Sequence, residues 1–421
     1  MKILVNTVDA WSQNTGSDTM SSLLSSFDSN DVASINIRAE KSDSTVAGSY
    51  FHILEGKVLK SILHPSLETG EAYLPGENDG GTERDQEKQR YRKRRILPRY
   101  VYVLIREVLW KLGHWKSKAL DDYVSSFAPD VFFFPIESYI HFNRLNLYII
   151  RKFKPKRIVG YMWDDNFTYK QEPCNLLFRL HRWWLRKGVK RLVASCDTVF
   201  AICPKMKSEL DSEFGIDSVL LTKPVRPVDS PDSQREASNP IRILYTGKLM
   251  IGRDETLALV ADAIRSINQG GQKVVLEIYT GSSLSSRMRA RLDVPGCSRI
   301  HPFIPQEEVF ARQRAADVLL FAESLSSSNR VARLSFSTKT TDYLSAGKCI
   351  WAIGNEDLAS ISYLKNEDAA LVSTSREAVR QTIEGIIAHP ELISEYARKG
   401  YACGVRKHGP AIIQERFLQA L

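Results

Sequence analysis

The chain has 421 residues, 43% hydrophobic and 25% charged, enough to bury sizeable cores and too apolar for a disordered polymer. No apolar run approaches the ~20 residues that span a bilayer, and residues 1–6 are too short and polar for a secretory leader. The formal charge is +9, and residues 84–118 hold twelve Lys/Arg against three Asp/Glu, so this one segment carries the whole excess. Six cysteines without a Cys-x-x-Cys pair argue against a zinc site or a disulfide framework. They fit a reducing, cytoplasmic compartment.

In chain order, apolar β-rich runs at 2–8 and 32–37 predict the first strands. The polar loop 6–17, which contains Gly16, separates them from each other together with a helix. An irregular stretch, 66–98, is polar at first and then strongly basic. Strands are expected again at 131–135, 158–163, 198–203 and 219–221. A proline-rich, aperiodic stretch at 224–240 reads as a linker. Beyond it come strands at 241–247, 274–280, 299–303, 318–322, 349–353 and 370–372. Near-continuous apolar strands separated by amphipathic helices predict parallel sheets covered on both faces. Two such series predict an α/β fold of two Rossmann-like, doubly wound domains facing each other across a cleft. The expected boundaries are 1–223 for the first domain and 241–400 for the second. A C-terminal helix in 401–421 is expected to pack back on the first domain.

Two segments of the second half carry recognisable chemistry. Thr246-Gly247-Lys248-Leu249-Met250-Ile251-Gly252-Arg253 joins a strand to a helix, where doubly wound folds bind ligands. Glycine lets the backbone approach a phosphate, and two cations can clamp a diphosphate. The plain alternative is an ordinary turn with two solvated cations. Ser337-Thr338-Lys339-Thr340-Thr341-Asp342 opens a short helix ended by Gly347. Its hydroxyls, its lysine and the first-turn amides suit phosphate oxygens, and Asp342 suits ribose hydroxyls.

On these residues, 241–400 resembles the nucleotide-sugar-binding domain of GT-B glycosyltransferases, in particular the retaining family 4. That family has Gly-Arg-Leu followed by Lys five residues after the Arg. Gly247-Lys248-Leu249…Arg253 keeps the spacing with the cations exchanged. Asp342-Tyr-Leu-Ser-Ala-Gly347-Lys348 matches the family's later signature. The resemblance implies that Lys248 and Arg253 hold the donor diphosphate and stabilise the leaving nucleotide. It places Lys339 and Thr340 at the phosphates, Asp342 on the ribose, and Gly16, Thr280, Gly281, Phe303 and Ile304 around the donor. Leu334 stands where the family usually has a glutamate. Glu323, at a strand end, takes over sugar contacts in one reading and is a surface carboxylate in the other.

In the first half, Asp164 and Asp165 follow a strand and are the catalytic candidates that could orient or deprotonate an acceptor hydroxyl. The alternative is that Asp-Asp-Asn caps a turn. His141 is the nearest histidine by position. No Asp-x-Asp pair or His/Cys cluster is present, so no metal or cofactor is expected beyond the nucleotide-sugar donor itself. The acceptor implied is a glycan or lipid-linked intermediate. The segment 84–118 interleaves cations with Tyr and Trp, which suits an anionic membrane surface, as does the second stretch 179–187. A solvated loop followed by a core helix is the other reading. No nucleic-acid-binding module accompanies the charge. The expected function is therefore a cytoplasmic, peripheral hexosyltransferase that is metal-independent and retaining. A non-catalytic GT-B-like scaffold remains the alternative from another class, and an epimerase or phosphorylase a further one.

Overall fold

The structure, a computed structural model, describes residues 1–11, 19–37, 41–77, 99–171, 175–232 and 236–421. Gly16, the basic run 84–98 and Cys174 lie outside these residues. The chain divides into two compact units: Met1–Leu221 with Glu415–Leu421, and Thr222–Gln414.

The first unit is built on eight strands: β1 (Ile3–Thr7), β2 (Val32–Asn36), β3 (Ser49–Ile53), β4 (Gly70–Tyr73), β5 (Val131–Pro135), β6 (Arg157–Met162), β7 (Thr198–Ala201) and β8 (Val219–Leu220). Their order is β4-β3-β2-β1-β5-β6-β7-β8. Every neighbouring pair is parallel except β3–β4. The order reverses between β1 and β5, the position at which doubly wound sheets open a crevice. Strand β5, Val-Phe-Phe-Phe-Pro, is buried at all five residues, as expected of a strand covered on both faces. Phe417, near the C-terminus, packs its ring on Phe133 at 5.3 Å, Phe200 at 6.0 Å and Phe27 at 6.1 Å, so the last residues complete this core.

The second unit holds β9 (Ile241–Thr246), β10 (Val274–Tyr279), β11 (Ser298–His301), β12 (Val318–Ala322), β13 (Cys349–Ile353) and β14 (Leu371–Ser373). All pair in parallel, in the order β11-β10-β9-β12-β13-β14, with the switch point between β9 and β12. Ile243, Leu276, Val318 and Trp351 are fully buried in one cluster. Each aliphatic of this kind contributes roughly 1.5–3 kcal/mol of hydrophobic stabilisation.

All twelve runs read as strands from sequence are strands, with ends shifted by a residue or two. Strands β3 and β4 were not anticipated. Strand β3 carries the fully buried His52, and β4 is a four-residue edge strand with Glu71 and Ala72 exposed, so neither forms an apolar run. The segment expected as a linker is tied to the second unit where it is described. Val225 N donates to His408 O at 2.9 Å, Val228 N to Ser345 O at 3.1 Å, and Asp232 N to Gly347 O at 2.8 Å.

Candidate active site

The loop after β9 is shaped by its glycines. Gly247 has φ of 140° and Gly252, the N-cap of helix Arg253–Ile267, has φ of 79°, values that L-residues rarely adopt. Between them Ile251 sits at φ of 61°, an uncommon strain for a β-branched side chain, with its carbonyl held by Asn329 Nδ2 at 2.5 Å. The loop is pinned by Gly247 N to Tyr279 O at 2.9 Å, Leu249 N to Ser282 Oγ at 2.9 Å and Tyr245 OH to Lys248 O at 2.8 Å. Lys248 is exposed at the loop surface.

Arg253 opens the following helix and presents its fork to Glu323, at the exit of β12. Nε reaches Oε2 at 3.0 Å and Nη2 reaches Oε1 at 2.6 Å, a bidentate, charge-assisted pair. Asp254 and Glu255 complement the partial positive charge of that helix start. Lys339 comes from the first turn of helix Thr338–Ser345, whose N-cap Ser337 accepts from Lys339 N at 3.3 Å. Its ammonium lies over the Tyr245 ring, 4.6 Å from the centroid, and abuts Gly247, where an added Cβ would fall 2.1 Å from Nζ. Burial, and then the nearby Arg253, push Lys339 down to about 8. Thr340 Oγ1 is buried without a hydrogen-bond partner.

These elements line a pocket of about 1040 Å³ in the second unit. Its lining combines three cations, Lys248, Arg253 and Lys339, with the apolar side chains of Tyr279, Phe303, Ile304 and Val309; Arg312 also lies over the Tyr279 ring, 5.7 Å from the centroid. Thr280, Gly281 and Ser282 line it as well. Tyr279 stacks on His301 at 4.4 Å with planes 13° apart, and His301 Nε2 is bonded to Glu277 Oε2, so the ring wall is fixed from behind. Phe303 is 74% exposed and offers an open aromatic face. Aromatic rings and cations lining one pocket suit a ligand with a planar ring and an anionic tail.

The structure thus brings together eight residues nominated from sequence: Gly247, Lys248, Arg253, Thr280, Gly281, Phe303, Ile304 and Lys339. Asp342 is not on the wall; its Oδ1 accepts from Lys223 Nζ at 2.7 Å. Leu334 is fully buried, a core residue rather than a pocket residue. Tyr279 and Lys223 were not nominated. A strand-end tyrosine gives no signal of its own, and Lys223 lies 119 residues from its partner.

In the first unit, Asp165 is buried and holds its own turn. Its carboxylate accepts from Thr168 N at 2.9 Å and from Thr168 Oγ1, and its carbonyl accepts from Arg182 Nη1 at 2.7 Å. This is the geometry of a turn cap. Asp164 is exposed beside it, and its charge reaches Glu137, just beyond the end of β5. Burial, then Asp164, and more weakly Asp9, push the Glu137 carboxyl up to about 7. His141 is enclosed: it stacks on Trp110 at 4.4 Å, and its Nδ1 bonds Glu107 at 3.0 Å. Glu107 also accepts from Ile140 N at 3.0 Å and His141 N at 2.8 Å, capping the start of helix Ile140–Phe153. Among the described residues no helix is long and apolar enough to cross a membrane, and no group of three His, Cys, Asp or Glu could hold a metal ion.

The paired parallel-sheet units are those of the GT-B fold. No protein-family model matches the chain, and neither does any curated protein sequence. Solved structures do match. Sucrose-phosphate synthase from Thermosynechococcus elongatus has 13% identity over 99% of this chain and 97% of its own, with a TM-score of 0.61. Anabaena HepE, solved with UDP and glucose, has 11% identity over 100% of this chain and 98% of its own, with a TM-score of 0.61. TarM has 10% identity over 71% of this chain at a TM-score of 0.54, and this chain spans 56% of TarM's length.

Proposed function

We propose that the chain is a glycosyltransferase that moves a sugar from a nucleotide diphosphate sugar to a glycan or lipid-linked acceptor. The observation that carries this is the pocket at the carboxyl ends of β9 and β10, lined by Lys248, Arg253 and Lys339 together with Tyr279 and Phe303. The aromatic wall would take the base and the cations the diphosphate. In the transfer the bond between the sugar's anomeric carbon and the diphosphate oxygen breaks, the acceptor hydroxyl's oxygen bonds to that carbon, and its proton passes to the Asp164 carboxylate. Negative charge grows on the departing diphosphate, where Lys248, Lys339 and Arg253 stabilise it without a metal. Thr340 and Asp342, one and three residues beyond Lys339, are assigned to phosphate and ribose, Asp342 by exchanging Lys223 for the ligand. Glu323 acts on the donor through Arg253. HepE, of similar fold, was solved with UDP-glucose, which supports a hexosyl donor. Retention of configuration follows the resemblance to family 4.

On the acceptor side, Asp164 and Glu137 are the carboxylates to which we assign the acceptor hydroxyl. The membrane contact is assigned to 84–118, of which residues 99–118 are described. Titration calorimetry with UDP, UDP-glucose, GDP-mannose and ADP-glucose tests the reading. One donor binds and turns over, and Lys248→Ala/Arg253→Ala abolishes both while circular dichroism is unchanged. Undiminished binding in that variant refutes the site. Binding without turnover on any acceptor favours the scaffold reading, which the buried Leu334 supports.

A further inference from the structure

Away from the donor pocket, helices Arg99–Leu112, Ile140–Phe153 and Leu176–Val193 pack on one another and leave a groove of about 710 Å³ between them. Its walls are aromatic, from Trp115, Tyr148, Trp183 and Trp184. Its charged lining is cationic, with Lys111, Arg144, Arg151, Lys187 and Arg191 beside Lys116 and Lys152, and no Asp or Glu contributes to it. Among the described residues none of these five has a carboxylate in salt-bridge range. Lys187 and Arg191 stand one helical turn apart, a like-charge pair that is unfavourable in isolation. Lys116 lies 5.4 Å and 5.0 Å from the ring centroids of Trp115 and Tyr148. Lys152 is paired with Asp121, Lys187 Nζ lies 3.6 Å from the Trp183 ring centroid, and Glu107 acts on Arg144 from beyond salt-bridge range. Five cations around aromatic walls with no carboxylate in salt-bridge range leave room for an anion.

The helix faces beside the groove indicate its source. On helix Leu176–Val193, Leu176, Leu180 and Trp183 share one face and are 82%, 51% and 51% exposed. On helix Arg99–Leu112, Ile105, Val108 and Leu112 repeat at helical spacing and are also exposed. A soluble anion would use the cations and leave these apolar residues in water. A bilayer uses both: leucines enter the acyl boundary, tryptophans lie at the headgroup level and Lys/Arg meet phosphates.

We propose that this groove seats the phosphate headgroup of an anionic phospholipid, with Leu176, Leu180 and Trp183 inserted in the same leaflet. This deepens the membrane contact proposed above and moves its centre from 84–118 to the three-helix groove. Its test does not depend on donor chemistry.

The full chain is floated with vesicles of phosphatidylglycerol and phosphatidylcholine, and with phosphatidylcholine alone. It partitions to the anionic vesicles, and shallow brominated lipid quenches tryptophan fluorescence, less so in Trp183→Phe. Lys187→Glu/Arg191→Glu and Leu176→Ser/Leu180→Ser each lower the partition coefficient by about tenfold or more. Donor binding by calorimetry stays at the wild-type value, which separates failure here from failure of the donor reading and shows that the variants fold. Three results overturn the proposal: no partition to anionic vesicles, equal partition of the variants with no bromolipid quenching, or a fluorescence response to inorganic pyrophosphate alone without vesicle binding. The last assigns the groove to a soluble anion.

Discussion

Arg253 and Glu323 meet fork to fork, with Nε to Oε2 at 3.0 Å and Nη2 to Oε1 at 2.6 Å, where Arg253 lines the second unit's pocket. The pair fixes the guanidinium in one orientation and leaves Lys248 and Lys339 to meet a ligand first. An incoming diphosphate can share the fork with the carboxylate or compete for it.

Replacing the carboxylate separates those roles. Glu323→Gln removes the charge and keeps the shape, and costs on the order of 1–3 kcal/mol of stability because Arg253 loses a partly buried ionic partner. UDP then raises the melting temperature of Glu323→Gln more than that of the wild type, since phosphate replaces the missing anion. An equal or smaller ligand-induced shift in the variant contradicts the placement of a diphosphate at Arg253.

Lys339 gives the site a pH limit. Its ammonium, held down to about 8 by burial and Arg253, is charged below that pH and neutral above it. Affinity for a nucleotide diphosphate is therefore highest below pH 8 and weakens by up to about tenfold per unit above it. Lys339→Met lowers affinity at pH 7 and flattens the profile. A profile of the variant that still bends near 8 assigns the titration to another group.

Gly247 is where backbone and ligand chemistry meet. Gly247→Ala forces a Cβ onto φ of 140° and within 2.1 Å of Lys339 Nζ. The backbone strain costs about 1–3 kcal/mol. The lysine, being the flexible end of a side chain, moves aside rather than unfolding its helix. We expect a modest loss in melting temperature and a larger loss of donor affinity, measured by calorimetry on the folded variant. Unchanged affinity excludes Lys339 from the ligand.

Glu137 titrates in the opposite sense for stability. Its folded value of about 7 exceeds the ordinary 4.5 because of burial and then Asp164. The folded state holds a proton that the unfolded chain releases, so this group's stabilisation is full below pH 4.5 and is lost as pH rises through 7. Glu137→Gln removes that slope. The variant is more stable than the wild type at pH 8, by an amount on the order of 1–3 kcal/mol, and matches it at pH 4.5. Urea denaturation at the two pH values measures this, and parallel curves would refute it.

Much of this was legible locally. Twelve strands, among them Val131–Pro135 and Val318–Ala322, announce themselves as apolar runs, because a strand covered on both faces needs apolar side chains throughout. The glycines of Thr246–Arg253 and the Ser337 cap were legible for the same reason: backbone geometry restricts residue type in place. Strand β4 was not, because a four-residue edge strand with exposed Glu71 buries too little to leave a pattern. Asp165 reads from sequence as either base or cap, and only the structure shows its bonds to Thr168.

The sequence by itself determined the alternation of strands and helices, the mainly parallel character of the two sheets and the loop chemistry of the second unit's pocket. All of these depend on neighbours within one element or one turn. The tertiary structure decided which distant side chains meet: Arg253 with Glu323 across 70 positions, Lys223 with Asp342 across 119, Phe417 with the core around Phe133, and three helices around one cationic groove. Strand order and helix packing set those pairings, and neither has a period or spacing that a single chain displays.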